Sequence, residues 1–567
     1  MADLLMRVDT DVLVIGSGAA GMMAAIEAAS NGSRVLLADR SLIGRGGATV
    51  MAQMTVAVAL GSETPDHWTH HYEDTLSSGR GICNAQLSQL VCEEGPDCIR
   101  IMDDWGVGWA RKDGHITQVM APGHDRPRCV YVDFLNTGPA VSKTLRAKLN
   151  KISDIRRVGD LCVVELLKCD DEVIGAVALH LGSGAPLIIF ARATILATGG
   201  LTRLYHRNSA SNNMGGDGYA LALRAGAFLV DMEFVQFFPI GHLAPRLVGM
   251  DPIMWDPFPY KLGGRLLNNR MEEFTQRYGV AEDGKYVIAR DIGSYAILKE
   301  VEAGRGSPHG GVYLSFQHCS EFELRNAFGP VIDRLASNGI DLTKMSVEVA
   351  PMAHYHMGGI AVDVQMQTRV PGLFAAGEAV GGSNGANRLS GNAVTEALVF
   401  GRRAGRSAAN YAKQVAARPD HAVNIDAALD LIAAHSPPHD LNTPELIQTL
   451  QTTMQEDVGA LRSRTGLERA LSQIDRLTTA IGERPAGNSN KFDMRGLDWL
   501  DLRNMLLVAR TVAEAANSRT ESRGAHQRED YPITIPEWSF NQVVGLHDGR
   551  LSLSGFSAPK SVTANAK

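Results

Sequence analysis

The chain opens on apolar runs separated by a glycine-rich turn, a pattern typical of a nucleotide-binding βαβ unit. Residues 10–15 read Thr-Asp-Val-Leu-Val-Ile and are rich in branched side chains, which predicts a buried strand. Residues 16–21 read Gly-Ser-Gly-Ala-Ala-Gly, and the small apolar residues that follow predict a helix. A second apolar run, 34–38, predicts a second strand that ends at Asp39.

The glycine spacing in this unit predicts a dinucleotide site. Gly16 permits the tight turn, Gly18 lets a pyrophosphate approach the backbone, and Gly21 lets the helix pack on the strand. The helix N-terminus supplies free N–H groups to the phosphates. Asp39 is placed where a carboxylate accepts hydrogen bonds from ribose hydroxyls.

Later segments favour FAD over NAD. Residues 44–49 are rich in glycine, 193–200 form an apolar strand that ends in small residues, and 370–378 form another strand closing on Gly377 and Glu378. An NAD-binding domain rarely needs a contribution from so far downstream. An FAD-binding domain interrupted by an inserted domain does need one.

Helical periodicity marks the last third of the chain. Apolar residues recur at helical spacing from 446 to 458 and from 502 to 516, which predicts helices with buried faces. Thr443 and Pro444 are expected to start the first of them, as capping hydroxyl and first-position proline.

Composition narrows the class of protein. At 567 residues the chain is expected to form two to four domains. The net charge of -7 gives no support for a nucleic-acid or anionic-membrane partner. No apolar stretch reaches the length of a transmembrane helix, and the N-terminus lacks signal-peptide features, so a cytoplasmic protein is expected.

The cysteines bear on the route of the electrons. The seven cysteines include no C-x-x-C pair, which suits reduced thiols. An iron–sulfur cluster needs closely spaced thiolates, so none is expected from this chain alone, and no metal site is predicted. If electrons leave through such clusters, another subunit carries them.

Three polar segments carry a family resemblance. Residues 353–360 (AHYHMGGI), 385–389 (GANRL) and 517–528 (NSRTESRGAHQR) resemble the flavoprotein subunits of succinate dehydrogenase and fumarate reductase, a family that includes L-aspartate oxidase. The resemblance runs from about residue 10 to residue 532.

The resemblance implies an α/β fold: a Rossmann-like FAD-binding domain interrupted by an α+β capping domain and followed by a C-terminal helical domain. The expected boundaries are 1–240 and 351–412 for the FAD-binding domain and 241–350 for the capping domain. Residues 413–540 are expected to form the helical domain and 541–567 a tail.

The resemblance also implies roles for three residues in catalysis. Arg290, which would come from the capping domain, would handle the proton at one carbon, with Arg305 following at the expected distance. His354 and Arg388 would grip a substrate carboxylate and polarise the bond for hydride attack.

Cofactor contacts follow from the glycine turns and the resemblance together. Glu378 would bind the ribitol chain, and the helix N-terminus at 391–394 would stabilise the reduced flavin. The predicted cofactor-binding residues are Gly16, Gly18, Gly21, Asp39, Gly46, Gly47, Ala48, Thr49, Gln53, Thr198, Gly199, Asp217, Glu378, Asn392 and Ala393.

Two departures from the family pattern lie beside the flavin. Members that hold FAD covalently have a histidine directly before Thr-Val, where this chain has Ala48, so FAD is expected to be non-covalent. The family's Gln-Gly-Gly reads Gln53-Met54-Thr55, which places two side chains on a wall that is otherwise bare backbone.

Two further departures concern the second carboxylate of the substrate. The family's histidine in Gln-x-His-Pro-Thr-Gly is Phe238 here, with His242 as a weak candidate to compensate. The Thr-Glu pair and the arginine that follows fall on Asp256, Pro257 and Tyr260. Substitutes for the proton relay are Asp256, Tyr260 or Lys261, and the expected apolar walls are Phe238, Trp255 and Phe258.

These residues predict an FAD-dependent oxidoreductase that acts on a C–C bond next to a carboxylate. Plain fumarate or succinate is disfavoured, because a second carboxylate would be left unpaired in an apolar place. The alternatives are an amino-acid oxidase resembling L-aspartate oxidase, an electron-transfer subunit with an iron–sulfur partner that could hold it at a membrane, and an inactive FAD-binding scaffold.

Overall fold

The structure is a computed structural model of the chain. It describes residues 6–133, 135–247, 253–255, 262–278, 290–415, 424–432, 441–485 and 494–556. The predicted relay residues Asp256, Tyr260 and Lys261 and the predicted wall residue Phe258 lie outside these ranges.

Strands and helices are interspersed along the part of the chain that the structure describes. The helices are α1 (Ala19–Ser30), α2 (Trp68–Ser78), α3 (Ala85–Asp104), α4 (Thr137–Leu149), α5 (Asp217–Ala225), α6 (Arg290–Glu300), α7 (Glu321–Phe328), α8 (Val331–Ser337), α9 (Asn392–Gln414), α10 (Ile425–Asp430), α11 (Thr443–Asp457), α12 (Arg464–Ile481) and α13 (Arg495–Ser518). The strands are β1 (Met6–Ile15), β2 (Val35–Ala38), β3 (Val56–Ala57), β4 (Arg111–Lys112), β5 (His115–Ile116), β6 (Cys129–Val130), β7 (Ile155–Val158), β8 (Leu161–Cys169), β9 (Glu172–His180), β10 (Ala185–Leu196), β11 (Leu229–Val230), β12 (Val235–Ala244), β13 (Arg265–Leu267), β14 (Val312–Ser315), β15 (Val347–His356), β16 (Gly359–Ile360), β17 (Leu373–Ala375), β18 (Asn541–His547) and β19 (Arg550–Phe556).

The largest sheet confirms the predicted βαβ unit. Its strand order is β7-β2-β1-β10-β9-β8, and β17 also pairs with β10. The pairs β7–β2, β2–β1, β1–β10 and β10–β17 are parallel, whereas β9 pairs antiparallel with its neighbours. The segment predicted around residue 373 therefore joins the N-terminal sheet from far downstream in the chain.

Two helices lie against each other through glycine. A Cβ atom at Gly401 would approach the Ala20 carbonyl oxygen to 2.4 Å, and one at Gly405 would approach that of Ala24 to 2.3 Å. Only glycine allows the backbones of α1 and α9 this close. The contact directs the N-termini of both helices at one cavity.

The inserted segment builds a second sheet and a second core. The antiparallel order is β12-β15-β14-β13, with α6, α7 and α8 nearby in the sequence. The expected boundaries at 240/241 and 350/351 fall inside β12 and β15, so each of these strands begins or ends within the FAD-binding part. The two strands thus carry side chains to the junction of both parts.

The C-terminal part differs from the expected tail. Residues 541–556 form β18 and β19, and β18 pairs with β11 beside the FAD-binding part. Val544 is fully buried, so apolar burial fixes this segment against the rest of the chain. The helix at 443 is confirmed, although Asn442 rather than Thr443 is its capping residue.

No helix among the described ranges has the length and apolar character needed to cross a membrane.

Candidate cofactor and substrate site

One elongated cavity passes between α1, α9 and the junction of β12 with β15. Residues from every predicted cofactor segment lie along it, together with two of the three predicted catalytic residues. Among its lining residues are Gly16, Gly18, Asp39, Gly46, Gly47, Ala48, Thr49, Gln53, Thr198, Gly199, Asp217, Glu378, Ala393, His354 and Arg388.

The first glycine turn has the geometry its sequence predicts. Gly16 has φ +101°, and a Cβ atom there would lie 2.3 Å from the Ala197 carbonyl oxygen. Gly21 lies behind the turn, where a Cβ atom would meet the Gly16 oxygen at 1.9 Å. A Cβ atom at Gly18 would have only the Thr49 hydroxyl within 4 Å, at 3.4 Å, so the backbone remains approachable from the cavity.

Asp39 lies on the cavity but is already well satisfied by hydrogen bonds. Its Oδ2 accepts from the Ser17 N–H at 2.8 Å and hydroxyl at 2.6 Å. Its Oδ1 accepts from the Ser41 N–H and hydroxyl, both at 2.8 Å. A ribose hydroxyl that donates to Asp39 would therefore take the place of the Ser17 or Ser41 hydroxyl.

Arg40, the next residue, was not predicted and also lines the cavity. Its guanidinium makes two hydrogen bonds to Asp501 of α13, at 2.8 and 3.0 Å, and lies 3.4 Å from Asp217. Asp217 in turn accepts from Asn504 at 3.0 Å. The C-terminal helix is thus tied to this end of the cavity.

The loop from Gly46 to Gln53 forms one side of the cavity. The Thr49 hydroxyl accepts from the Ala19 N–H at 3.0 Å, at the start of α1, and the Gly47 N–H donates to Ser211 at 2.8 Å. Gln53 Oε1 accepts from the Met254 N–H at 3.0 Å. This last bond holds a segment of the inserted part over the cavity.

The residues present fit an FAD molecule. The cavity meets the N-termini of α1 and α9, which suits a pyrophosphate and an electron-rich ring edge. Thr198 Oγ1 is buried and has no hydrogen-bond partner among the described residues. Buried polar groups are normally hydrogen-bonded, so this hydroxyl is suited to bond a ligand in the cavity. Gly199, which follows it, has φ +73°.

Glu378 and the start of α9 lie at the other side of the cavity. Glu378 accepts from the His356 N–H at 3.0 Å, and burial raises its pKa to about 8. Gly391 has φ +87° and precedes α9, so Ala393 reaches the cavity wall.

Asn392 begins α9 as the prediction places it, but its side chain does not line the cavity. Its side chain points to the protein interior, where Oδ1 lies 2.8 Å from His71 Nε2 and Nδ2 donates to the Thr75 hydroxyl at 3.1 Å. It is absent from the cavity lining. A residue at a helix start can face either way, and here two buried polar groups on α2 take the amide.

His354 and Arg388 come together at the end of the cavity reached by β15 and the start of α9. Ser209 Oγ lies 2.7 Å from His354 Nδ1. The Arg388 guanidinium is buried and lies 4.4 Å above the Tyr355 ring. Neither Ser209 nor Tyr355 was predicted, although Tyr355 lies within one of the recognised motifs.

A buried acid stands behind Tyr355. The Tyr355 hydroxyl donates to Glu396 Oε1 at 2.7 Å, and Ser383 donates to Oε2 at 2.8 Å. Burial raises the pKa of Glu396 to about 7. Arg388 therefore rests on an aromatic ring that is itself fixed by a hydrogen-bonded carboxyl group.

The wall facing His354 is apolar. The Phe238 ring centroid lies 5.8 Å from that of His354, and Met54 and Met254 line the same cavity. Trp255, predicted as a wall, instead lies in the second core with Phe316 at 6.3 Å. It is fully buried there, and the removal of the indole from water stabilises this position.

His242 does not compensate for Phe238 in the structure. Its Nε2 lies 2.5 Å from the Pro245 carbonyl oxygen and its Nδ1 accepts from Trp255 Nε1 at 3.3 Å. The ring is therefore engaged within the inserted part, away from the cavity lining.

Arg290 begins α6, but its side chain lies outside what the structure describes. The neighbouring Asp291 carboxylate lies 3.6 Å from Arg80. Arg305 is bound to the buried Glu300 through two hydrogen bonds of 2.8 Å, which lower the pKa of Glu300 to about 2. Arg305 thus has a structural partner.

The described residues contain no cluster of three or more His, Cys, Asp or Glu side chains that could hold a metal ion. The seven cysteines are all present there as free thiols.

Comparisons with known proteins agree with this geometry. A family model described as FAD binding domain matches residues 11–394, and one described as fumarate reductase flavoprotein C-term matches residues 447–549. The chain is 34% identical over 533 residues to a subunit of the fumarate reductase (CoM/CoB) of Methanothermobacter marburgensis, with 94% of this chain and 96% of that one covered. It is 33% identical over 562 residues to the L-aspartate oxidase of Streptomyces coelicolor, with 95% and 92% covered.

A solved structure shows the same fold over almost the whole chain. This is Mycobacterium smegmatis Sdh1 in complex with UQ1, with a TM-score of 0.87 and 34% identity, covering 98% of this chain and 95% of that one.

Proposed function

The chain belongs to the fumarate reductase and succinate dehydrogenase flavoprotein family, and on that premise we propose that its substrate is an acid with one carboxylate and an apolar far end. Family membership makes the chain an FAD-dependent oxidoreductase, and the family acts on C–C bonds. The observation that carries the proposal is the apolar wall of Phe238, Met54 and Met254 opposite His354.

In this proposal the chain's own residues bind and polarise the acid. FAD, when bound, supplies the hydride acceptor or donor at N5. His354 and the buried Arg388 hold the carboxylate, and a guanidinium fork draws negative charge toward itself. Arg290, at the start of α6, holds the proton for the second carbon. Met254, whose N–H donates to Gln53, adds an apolar side chain to the lining of the same cavity.

The apolar wall selects against a second carboxylate. An unpaired carboxylate in such a place costs several kcal/mol, which is the penalty for a buried charge without a partner. An apolar or aromatic group gains instead from contact with Phe238 and the two thioethers.

A panel of acids tests the proposed substrate class. We expect the dithionite-reduced enzyme to be reoxidised under anaerobic conditions by crotonate or cinnamate and not by fumarate. The variant Phe238→His should raise the rate with fumarate relative to cinnamate about 10- to 100-fold, the worth of a charged hydrogen bond of about 1.5–3 kcal/mol.

Phe238→Leu is the matched control, because it keeps the wall apolar and adds no donor. It should leave fumarate inactive. Reoxidation of the unaltered enzyme by fumarate as fast as by cinnamate would contradict the proposal.

We further propose that FAD is held without a covalent bond. Ala48 stands where a linking histidine would, and the His, Cys and Tyr side chains described along the cavity are His354, Cys162 and Tyr355. The pKa of Cys162 is raised to about 12 by burial, so it stays a neutral thiol, and the Tyr355 hydroxyl is bonded to Glu396.

Acid precipitation should therefore release the flavin. We expect a yellow supernatant and a colourless protein pellet after treatment with trichloroacetic acid. A yellow pellet that survives washing would show a covalent link.

The second candidate is an amino-acid oxidase, favoured by the 33% identity to an L-aspartate oxidase. L-Aspartate would then bleach the flavin without oxygen and yield peroxide in air.

For the physiological electron route we propose a separate iron–sulfur subunit, which could also hold the chain at a membrane. Support comes from relatives whose names mark them as subunits.

A further inference from the structure

His354 occupies an irregular point of its strand. In the pairing of β12 with β15, Gln236 lies opposite Tyr355 and Phe237 lies opposite Ala353, so His354 is an extra residue between two paired positions. An extra residue of this kind re-aims its side chain, since the ladder no longer fixes it to one face of the sheet. The orientation of the imidazole must then be set by another contact.

Ser209 is held in a position to make that contact. The Ser209 N–H donates to the Ala353 carbonyl oxygen at 3.0 Å, and the Ala353 N–H donates to the Arg207 carbonyl oxygen at 2.9 Å. These two bonds fix the segment of Ser209 along the second edge of β15. The serine is buried, and its hydroxyl lies 2.7 Å from His354 Nδ1.

We propose that Ser209 is a positioning residue that decides which nitrogen of His354 meets the substrate carboxylate. The inference rests on the proposed function. Because Ser209 takes Nδ1, a carboxylate in the cavity can bond only to Nε2. When the serine hydroxyl donates to Nδ1, the neutral ring carries its proton on Nε2, which is the donor form that a carboxylate needs.

A hydroxyl suits this task better than a carboxylate would. The hydroxyl can donate to a neutral ring or accept from a protonated one, so the contact survives either state of the imidazole. It also adds no negative charge next to the place where the substrate carboxylate binds. A second anion there would repel the substrate.

The test measures carboxylate binding to the FAD-loaded enzyme through the change in flavin absorbance. Ser209→Ala should weaken the binding of cinnamate about 3- to 10-fold, the usual effect of losing one hydrogen bond. Ser209→Thr, which keeps the hydroxyl, should restore binding to within about twofold. The FAD content and the thermal midpoint should not change.

Ser315→Ala is a matched control. Ser315 is also buried and its hydroxyl donates to Gln317 at 3.2 Å, but it lies on β14 and not on the cavity. This variant should bind cinnamate as the unaltered enzyme does.

A double-mutant comparison separates positioning of His354 from a general effect. In a His354→Ala background the Ser209→Ala change should have no further effect on binding, because its target is gone. An equal loss in both backgrounds, or unchanged binding in Ser209→Ala alone, would overturn the role of Ser209.

The two proposals fail in distinguishable ways. Binding of fumarate but not cinnamate by the unaltered enzyme would overturn the proposed substrate class, and the Ser209 comparison would then be made with fumarate. Failure of fumarate, crotonate and cinnamate alike to bind would overturn both proposals.

Discussion

Replacing Arg388 with methionine is expected to lower kcat/KM about 10²- to 10³-fold, the effect of removing one preorganised donor from developing negative charge. Arg388 is 4% exposed, and its guanidinium lies on the Tyr355 ring. Methionine keeps much of the length and loses only the charge and the donors. FAD should remain bound, since the glycine turns of the cofactor end are untouched.

Steady-state kinetics with the acid that reoxidises the flavin fastest measure this effect. Arg406→Met is the control, because Arg406 lies on α9, the helix that begins shortly after Arg388, and its partner is Glu27 at 3.0 Å, at an exposed site. It should change kcat/KM less than about twofold. An Arg388→Met enzyme that keeps more than a tenth of the activity would contradict the assigned role.

Removing the charge of Arg519 is expected to lower the free energy of unfolding more than any other substitution proposed here. Its guanidinium is fully buried, 2.6 Å from Glu233 and 2.9 Å from Glu521, and both carboxylates are buried with it. Its second terminal nitrogen donates to the Phe540 carbonyl oxygen at 2.9 Å. Arg519→Met leaves Glu233 without its cation, while Glu521 keeps its bond to Arg523, and an uncompensated buried carboxylate typically costs about 3–5 kcal/mol.

Urea unfolding followed by tryptophan fluorescence would show the loss as a lower midpoint. The control is Arg34→Met, since the Arg34 side chain is 67% exposed and its bond to Asp11 is 3.2 Å. An exposed pair of this kind contributes about 0–1 kcal/mol. Equal midpoints for the two variants would show that the buried network does not hold the C-terminal part in place.

The same network explains why the polar segment 517–528 is so distinctive. Arg523 makes hydrogen bonds to Glu521 at 2.7 and 3.0 Å, and Arg462 donates to the Glu233 carbonyl oxygen at 2.7 Å. These residues join the helical part to the segment just before β12. The segment marked the family in the sequence, and in the structure its described contacts are internal and serve to hold the parts together.

Local features of the cofactor end could be predicted because they depend on near neighbours. A positive φ at Gly16 and the close approach of Gly21 follow from a strand, a turn and a helix that are consecutive in the chain. The starts of the predicted strand and helix differ from those in the structure by a few residues. The strand expected at residues 10–15 begins at Met6, and the helix expected after Gly21 begins at Ala19.

Contacts between distant segments could not be predicted in the same way. Ser209 lies 145 residues from His354, and Arg40 lies 461 residues from Asp501. Nothing in the sequence around Ser209 distinguishes it from other serines in glycine-rich loops. The direction of Asn392, which turns to His71 instead of the cavity, depends equally on how α2 packs against α9.

The sequence by itself determined the first strand, turn and helix, the family, and the presence of Phe238 where the family has a histidine, because each of these depends on residue type and local spacing. The tertiary structure alone decided that Phe238 packs on His354, that Trp255 lies in the second core with His242 bonded to it, and that residues 541–556 form strands. The reason is physical. Backbone preference acts over a few residues, whereas burial and hydrogen bonding are settled only when separate segments meet.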